Sequence, residues 1–393
     1  MFNNTLRPLL MKCYRHSGSS PCGPFLSSYN LSKTFTGQSV KKGQQLNPDI
    51  IEIKRESLVE EFLPIPTNAE RTVAKFPKSI QPYLKLMRLH SPTGGLLLLW
   101  PGYFGLAFAT DPMRYPNPTY LALFGIGTIL MRGVGCTIND IVDRHYDLHV
   151  NRTKNRPIAT GELSVPKAVA FLALQSSLAL SILMKFDTTS IILGLSSVGL
   201  ICIYPFAKKF TYWPQLVLGL TFNWGALLGW SVVTKGNIFL PGAIPLYLAC
   251  ISWTLFYDTI YAHQDRVNDL SIGLKSTAIK FGENTKNWLH GFHATMLTNL
   301  IIAGLATGQV WPYYCSLGLA SFRLFSITRT LDINNPRNCG QKFEDNVLIG
   351  YILFCGIGLS TMIKTDSTKE EMVEDDLNIK LEDVFGDEAE KTN

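Results

Sequence analysis

Two blocks of oxygen-bearing side chains stand out as the chemistry of this chain. The first is Asn139-Asp140-x-x-Asp143-x-x-x-Asp147, and the second is Asp258, Asp265 and Asp269. Each follows a long apolar stretch, a place where carboxylates are costly unless something cationic binds them. In helical register Asn139, Asp143 and Asp147 fall at i, i+4 and i+8, with Asp140 beside them. Asp258, Asp265 and Asp269 fall at i, i+7 and i+11, which predicts a second shared face on one helix. Two such faces turned toward each other repel without counter-charge. Hard divalent cations, Mg2+ above all, bound together with a diphosphate, meet that need through oxygen ligands.

The expected metal ligands are therefore Asn139, Asp143, Asp147, Asp258, Asp265 and Asp269. The expected catalytic carboxylates are Asp140, Asp143, Asp147, Asp265 and Asp269. Diphosphate leaves an allylic carbon when its developing charge is neutralised, so nearby cations matter as well. Arg144 and Lys154 lie beside the first block and Lys275 after the second. Tyr204 and Lys208, at i and i+4, can add a hydroxyl and an ammonium. An allylic cation also needs a dry, electron-rich wall, for which Trp100, Phe222, Trp224, Trp253, Phe256 and Tyr257 are candidates. For each aromatic taken singly, packing or membrane-interface duty is the stronger reading. His145, His149 and His263 lie close by. The ligand set is nonetheless oxygen-dominated, and no His-Glu-x-x-His arrangement exists.

The elements that must position these residues are apolar helices. Stretches long enough to cross ~30 Å of hydrocarbon occur near 93–110, 118–138, 164–184, 189–207, 213–233, 239–260, 288–308, 311–330 and 346–363. The expected fold class is all-α: a polytopic membrane protein of about nine transmembrane helices. Ser79 to His90 reads as an amphipathic helix ahead of the first span, with Lys85 and Arg88 on its polar side. Loops after the even-numbered spans carry Arg144, Arg152, Lys154, Arg156, Lys208, Lys209, Arg266, Lys275, Lys280, Lys286, Arg337 and Lys342. The opposite loops hold little beyond Arg114, Lys185 and Lys235. The positive-inside rule places the even loops and the N-terminus on one side, and both acidic blocks with them. The blocks recur after the second and sixth spans, a weak hint of an internal repeat. Together these features point to chemistry on a prenyl diphosphate at a membrane surface.

Composition agrees. Of 393 residues only 17% are charged and 46% are hydrophobic, and the mean hydropathy is +0.13, values that suit a membrane protein with polar tails. The net charge of +6 is diffuse, and no basic track with interleaved aromatics suggests nucleic acid. The eight cysteines form no CxxC pair and read as small core residues. Residues 1–48 contain no Asp or Glu but carry Arg7, Lys12, Arg15, Lys33, Lys41 and Lys42 among many Ser and Thr. That pattern predicts a mitochondrial transit peptide, with a disordered tail as the alternative. A polar linker is expected over 49–78, the membrane domain over 79–364, and an acidic disordered tail over 365–393.

Longer motifs carry a family resemblance. MRGVGCTINDIVDRHYD (Met131–Asp147) and YDTIYAHQDRVNDLSIGLKSTAIKFG (Tyr257–Gly282) resemble the two signatures of the UbiA superfamily of intramembrane prenyltransferases. RPIATGEL (Arg156–Leu163) and YPFAKKFTYWPQLVLGLTFNWG (Tyr204–Gly225) resemble its subgroup acting on 4-hydroxybenzoate. The resemblance covers residues 80–364. It implies a nine-helix bundle whose acidic motifs sit at the matrix-side mouth of a cavity in the inner mitochondrial membrane. It also implies transfer of a polyprenyl chain from a polyprenyl diphosphate to 4-hydroxybenzoate for ubiquinone synthesis, with other ubiquinone-synthesis proteins as associates. Arg88 or Arg132 would then hold the acceptor carboxylate by a bidentate contact. One departure stands at Asn268, where the subgroup often carries Asp; an amide still offers oxygen but brings no charge.

Three rival readings remain at this point. A UbiA-type enzyme with another acceptor (homogentisate, a naphthoate or haem) differs only in subgroup motifs. An ion-coupled transporter would place its acids near the bilayer midplane rather than at span ends. A soluble-type prenyl diphosphate synthase also uses Asp-rich helices, but the many spans argue against it.

Overall fold

The computed structural model describes residues 67–148, 153–271 and 273–365, all within one compact unit, Pro66–Asn393. The expected transit peptide, most of the polar linker, and all but one residue of the acidic tail lie outside the described residues. So do His149 and Arg152.

Every apolar stretch expected to span is helical. Two short helices, α1 (Asn68–Ala74) and α2 (Gln81–Leu86), precede α3 (Thr93–Phe108). Then follow α4 (Pro118–Asp147), α5 (Val165–Leu183), α6 (Thr188–Phe210), α7 (Pro214–Phe222) and α8 (Trp224–Val233). The second half holds α9 (Leu240–Ala262), α10 (Arg266–Ser271), α11 (Thr277–Phe281) and α12 (Thr285–Ala306). It closes with α13 (Trp311–Thr330), α14 (Pro336–Glu344) and α15 (Asn346–Ile363).

Among the described residues seven helical stretches are long and apolar enough to cross a membrane: α4, α5, α6, α7–α8, α9, Thr277–Ala306 and Pro336–Ile363. The two remaining expected spans are also helices, but α3 is shorter, and α13 carries Arg323, His-bonded Ser321 and Arg329 along its length. All nine expected spans are thus helical among the described residues, and seven of them qualify as membrane-crossing by length and composition.

Residue chemistry explains the layering. α9 is the most buried of the seven, with Trp253, Phe256 and Tyr257 nearly inaccessible at its centre. It packs on α12 and α7, while α3 packs on α8 and α15. Glycines on α3 and α8 permit that last approach: a Cβ at Gly105 would collide with the backbone of Ala226. α5 and α6 instead expose Leu174, Leu178, Ile192 and Leu195, apolar faces suited to lipid. The break between α7 and α8 is satisfied internally. There the Asn223 amide donates to the Gly219 carbonyl at 2.7 Å and to Thr254 Oγ1 at 2.8 Å.

Candidate active site

α4 runs unbroken to Asp147, so Asn139, Asp143 and Asp147 do share a helical face. The second block departs from expectation. α9 ends at Ala262, a turn covers the next three residues, and α10 starts at Arg266, so Asp258 and Asp269 lie on different helices. The turn is pinned by His263, which is buried and shares a 2.9 Å hydrogen bond with Thr285 Oγ1. Burial, then the neighbouring Arg266, push the His263 pKa down to about 4, which keeps the imidazole neutral as a structural group.

A cavity of about 1230 Å³ opens between α4, α5, α6 and α9. Its polar end is lined by Arg88, Arg132, Asn139, Asp140, Tyr204, Lys208 and Asp258. Asn139 and Asp140 of the first block and Asp258 of the second line this one cavity, so the two acidic blocks face a common space. The apolar end is lined by Leu172, Leu183, Leu195, Val198 and Phe222. Of the candidate aromatics, Phe222, Trp224 and Tyr257 reach the cavity. Trp100, Trp253 and Phe256 pack in the core instead, Trp253 donating from Nε1 to Asn346 at 3.0 Å.

Arginine chemistry dominates the first block. Asp140, 1% exposed, accepts Arg88 Nη2 on both oxygens, at 2.6 and 2.9 Å. Arg156 Nη1 lies 3.0 Å from Asp140 and 2.8 Å from Asp147, bridging both carboxylates. Sequence reading had given Arg156 no role at the site. The contact forms only because the 153–163 loop folds back under α4, with Ile158 and Leu163 buried against Leu86 and Ala168. Thr153 Oγ1 caps the turn by donating to the Asp147 carbonyl at 3.0 Å. Asp143 meets a weaker partner, Lys208 Nζ at 3.9 Å.

The other candidates are placed as follows. Arg132 donates to the Ser91 and Pro92 carbonyls at 2.8 and 3.1 Å. Its guanidinium lies over Gly94 and Gly95, where a Cβ on Gly95 would come within 2.7 Å of it. Arg144 donates to the Ile141 carbonyl of its own helix at 3.0 Å, and Lys154 is exposed. Lys275 donates from its backbone to Lys208 at 2.9 Å and from Nζ to the Phe210 carbonyl at 3.4 Å, clasping the end of α6. Asp265 and Asp269 are half-buried at the turn and on α10, off the cavity wall.

A metal fits this donor set in one particular way. Among the described residues no three His, Cys, Asp or Glu side chains converge as a ready cage. Asn139 Oδ1, however, is buried and accepts no hydrogen bond, an uncommon state for an amide oxygen. Mg2+ is usually held by one or two carboxylates together with substrate phosphates rather than by an all-protein cage. Asn139, Asp143 and Asp258 supply that kind of incomplete oxygen set.

Residues 98–354 match the UbiA prenyltransferase family. A Drosophila melanogaster protein named mitochondrial 4-hydroxybenzoate polyprenyltransferase is 48% identical over 78% of this chain and 78% of its own length. Its human namesake is 49% identical over 77% of this chain and 82% of its own. Among solved structures, a UbiA homolog from Aeropyrum pernix K1 superposes with a TM-score of 0.59 at 22% identity, covering 67% of this chain and 96% of its own. A UbiA homolog from Archaeoglobus fulgidus bound to GPP and Mg2+ gives 0.53 at 18%, covering 70% and 99%. At these identities the two structures establish a common fold.

Proposed function

We propose, because this chain belongs to the UbiA prenyltransferase family, that it transfers a polyprenyl chain from polyprenyl diphosphate to 4-hydroxybenzoate in ubiquinone biosynthesis. The observation that carries this reading is the cavity itself: one end a cation-guarded cluster of oxygens, the other an apolar passage toward lipid-facing helices. The near-half identity to enzymes named for that reaction supports it.

The diphosphate sits at the polar end, where Lys208 and Tyr204 direct an ammonium and a hydroxyl toward it, with Arg144, Lys154 and Lys275 adding positive field from the surrounding loops. Asn139, Asp143 and Asp258 would hold Mg2+, with Asp147, Asp265 and Asp269 as the further carboxylates of the two blocks, and the metal when bound would supply Lewis-acid neutralisation of the leaving group. Asp140 orients Arg88 and Arg156, and those two cations keep the block charge-balanced. The isoprenoid tail lies along Leu172, Leu183, Leu195 and Val198, out of water. Arg132 receives the benzoate carboxylate. Its guanidinium is pre-oriented by the Ser91 and Pro92 carbonyls, and Arg88 stands beside it at the same wall.

The allylic carbon–oxygen bond breaks and its electrons leave with diphosphate. The ring carbon ortho to the phenol oxygen forms the new carbon–carbon bond, and loss of the ring proton restores aromaticity. Water is excluded by the aromatic wall of Phe222, Trp224 and Tyr257, which also stabilises positive charge on the allylic carbon. The loop charges support a setting in the inner mitochondrial membrane with this mouth toward the matrix.

Acceptor choice tests the reading. The purified full chain with a polyprenyl diphosphate and Mg2+ is offered 4-hydroxybenzoate, homogentisate and a dihydroxynaphthoate in parallel. Prenylated 4-hydroxybenzoate as the main product is expected; turnover confined to another acceptor would remove 4-hydroxybenzoate as substrate.

A further inference from the structure

The break between α7 and α8 meets the middle of α9 at a buried polar node behind the aromatic wall of the cavity. Asn223 sits at the break, buried, between Phe222 and Trp224, which both line the cavity. Its Nδ2 donates to Thr254 Oγ1 on α9 at 2.8 Å as well as to the Gly219 carbonyl at 2.7 Å. Thr254 is fully buried; its Oγ1 donates to the Cys250 carbonyl at 3.1 Å and lies 3.0 Å from the Tyr257 hydroxyl. A threonine hydroxyl offers one proton and two lone pairs. The proton goes to Cys250 and one lone pair to Asn223, so the other accepts the O–H of Tyr257. All three positions of Thr254 are filled, and the direction of the Tyr257 hydroxyl is fixed.

The rest of the wall follows the same rule. Trp224 Nε1 donates to the Leu193 carbonyl of α6 at 2.8 Å. The Tyr257 ring stands edge-on to Trp253, with centroids 5.6 Å apart at 90°, and Trp253 is itself held by Asn346. Phe222 carries no polar group. The O–H of Tyr257 and the N–H of Trp224 are therefore both engaged inside the protein, and the wall turns only hydrocarbon and π density toward the cavity. A wall of that kind suits an allylic cation and gives water nothing to bond to.

We propose that Thr254, supported by Asn223, is a positioning residue for prenyl transfer: it holds the Tyr257 hydroxyl in the core behind the wall, so that the ring faces the allylic carbon and water is kept from it. This rests on the prenyl-transfer assignment above, though not on which acceptor is used. Without the Thr254 hydroxyl, the Tyr257 O–H lacks its acceptor and takes water from the cavity in its place. That water competes with the acceptor ring for the allylic carbon. Its oxygen forms a carbon–oxygen bond there, its proton passes to solvent, and a prenyl alcohol appears instead of the prenylated acceptor. Diphosphate leaves with the bonding electrons in both cases.

The test follows diphosphate, prenylated acceptor and prenyl alcohol together in reactions of the purified full chain. Thr254→Val is expected to lower kcat about fivefold, the order of one lost neutral hydrogen bond, with both KM values unchanged and a larger share of prenyl alcohol per diphosphate released. Thr254→Ser restores rate and product ratio. Tyr257→Phe has no hydroxyl to hold, so adding Thr254→Val to it should change neither quantity further. If Thr254→Val does not fold, Thr254→Cys, with its weakly accepting sulfur, carries the same expectation. A normal rate and product ratio in the folded variant would overturn the proposal. So would equal losses with and without the Tyr257 hydroxyl, or a lower kcat with no added prenyl alcohol, either of which makes Thr254 a packing residue. An unaltered chain that prenylates no acceptor at all would remove the prenyl-transfer assignment and this proposal together, an outcome distinct from any of these.

Discussion

A single nitrogen of Arg88 donates to both carboxylate oxygens of Asp140, at 2.6 and 2.9 Å, across 52 residues of sequence. Arg88 reaches that position with its backbone at φ 60, a left-handed conformation uncommon for a residue with a long side chain. The ion pair thus offsets local strain and neutralises a carboxylate that is otherwise sealed from water. Arg88→Ala leaves Asp140 with Arg156 alone, and a loss of about 3 kcal/mol in stability is expected. Thermal unfolding in detergent checks it. The double variant Arg88→Ala, Asp140→Asn should recover part of the loss, because it removes the uncompensated charge.

Arg156 joins Asp140 to Asp147 and brings the 153–163 loop to the cavity mouth. Lysine carries the same charge but lacks the planar guanidinium whose Nη1 sits between the two carboxylates. Arg156→Lys is therefore expected to lower kcat roughly tenfold or more while the protein still folds. Steady-state kinetics with circular dichroism as the folding control measures both. A variant with normal kcat would reduce Arg156 to a surface anchor.

The ion pair of Asp143 among the described residues is the long 3.9 Å contact with Lys208, so little of the fold depends on it. Asp143→Ala and Asp265→Ala should each abolish most prenyl transfer and leave unfolding temperature nearly unchanged. Near-normal rates in either would argue against carboxylates from both blocks acting on one diphosphate.

The proposed acceptor role of Arg132 is tested by separating acceptor binding from chemistry. Its two backbone contacts aim the guanidinium at the cavity, so Arg132→Ala should raise KM for 4-hydroxybenzoate about tenfold or more with KM for the polyprenyl diphosphate little changed. A change in the diphosphate KM alone would reassign the residue.

How far the site could be read from residue spacing depends on the element. The i, i+4, i+8 pattern of Asn139, Asp143 and Asp147 was legible because α4 stays helical to its end. The same arithmetic failed beyond Asp258, because burial of His263 against Thr285 turns the chain before Asp265. Periodicity assumes a continuous helix and cannot see a tertiary hydrogen bond. Arg156 was hidden for a related reason. It lies in a loop, and its partners are chosen by how Ile158 and Leu163 bury, not by spacing. All nine apolar stretches were legible as helices, whereas the mixed character of α13, with Ser321, Arg323 and Arg329, weakened only its membrane assignment.

The most direct measurement follows both products of a single turnover in the purified full chain. Polyprenyl diphosphate, 4-hydroxybenzoate and Mg2+ are mixed, and released diphosphate and prenylated benzoate are quantified together, with and without a chelator. One diphosphate for each 4-hydroxybenzoate prenylated ortho to its hydroxyl, with both products lost on chelation and restored by added Mg2+, is the expected result. Turnover that persists in the chelator, or diphosphate release with no carbon–carbon bond to the ring, would contradict metal-assisted prenyl transfer at this cavity.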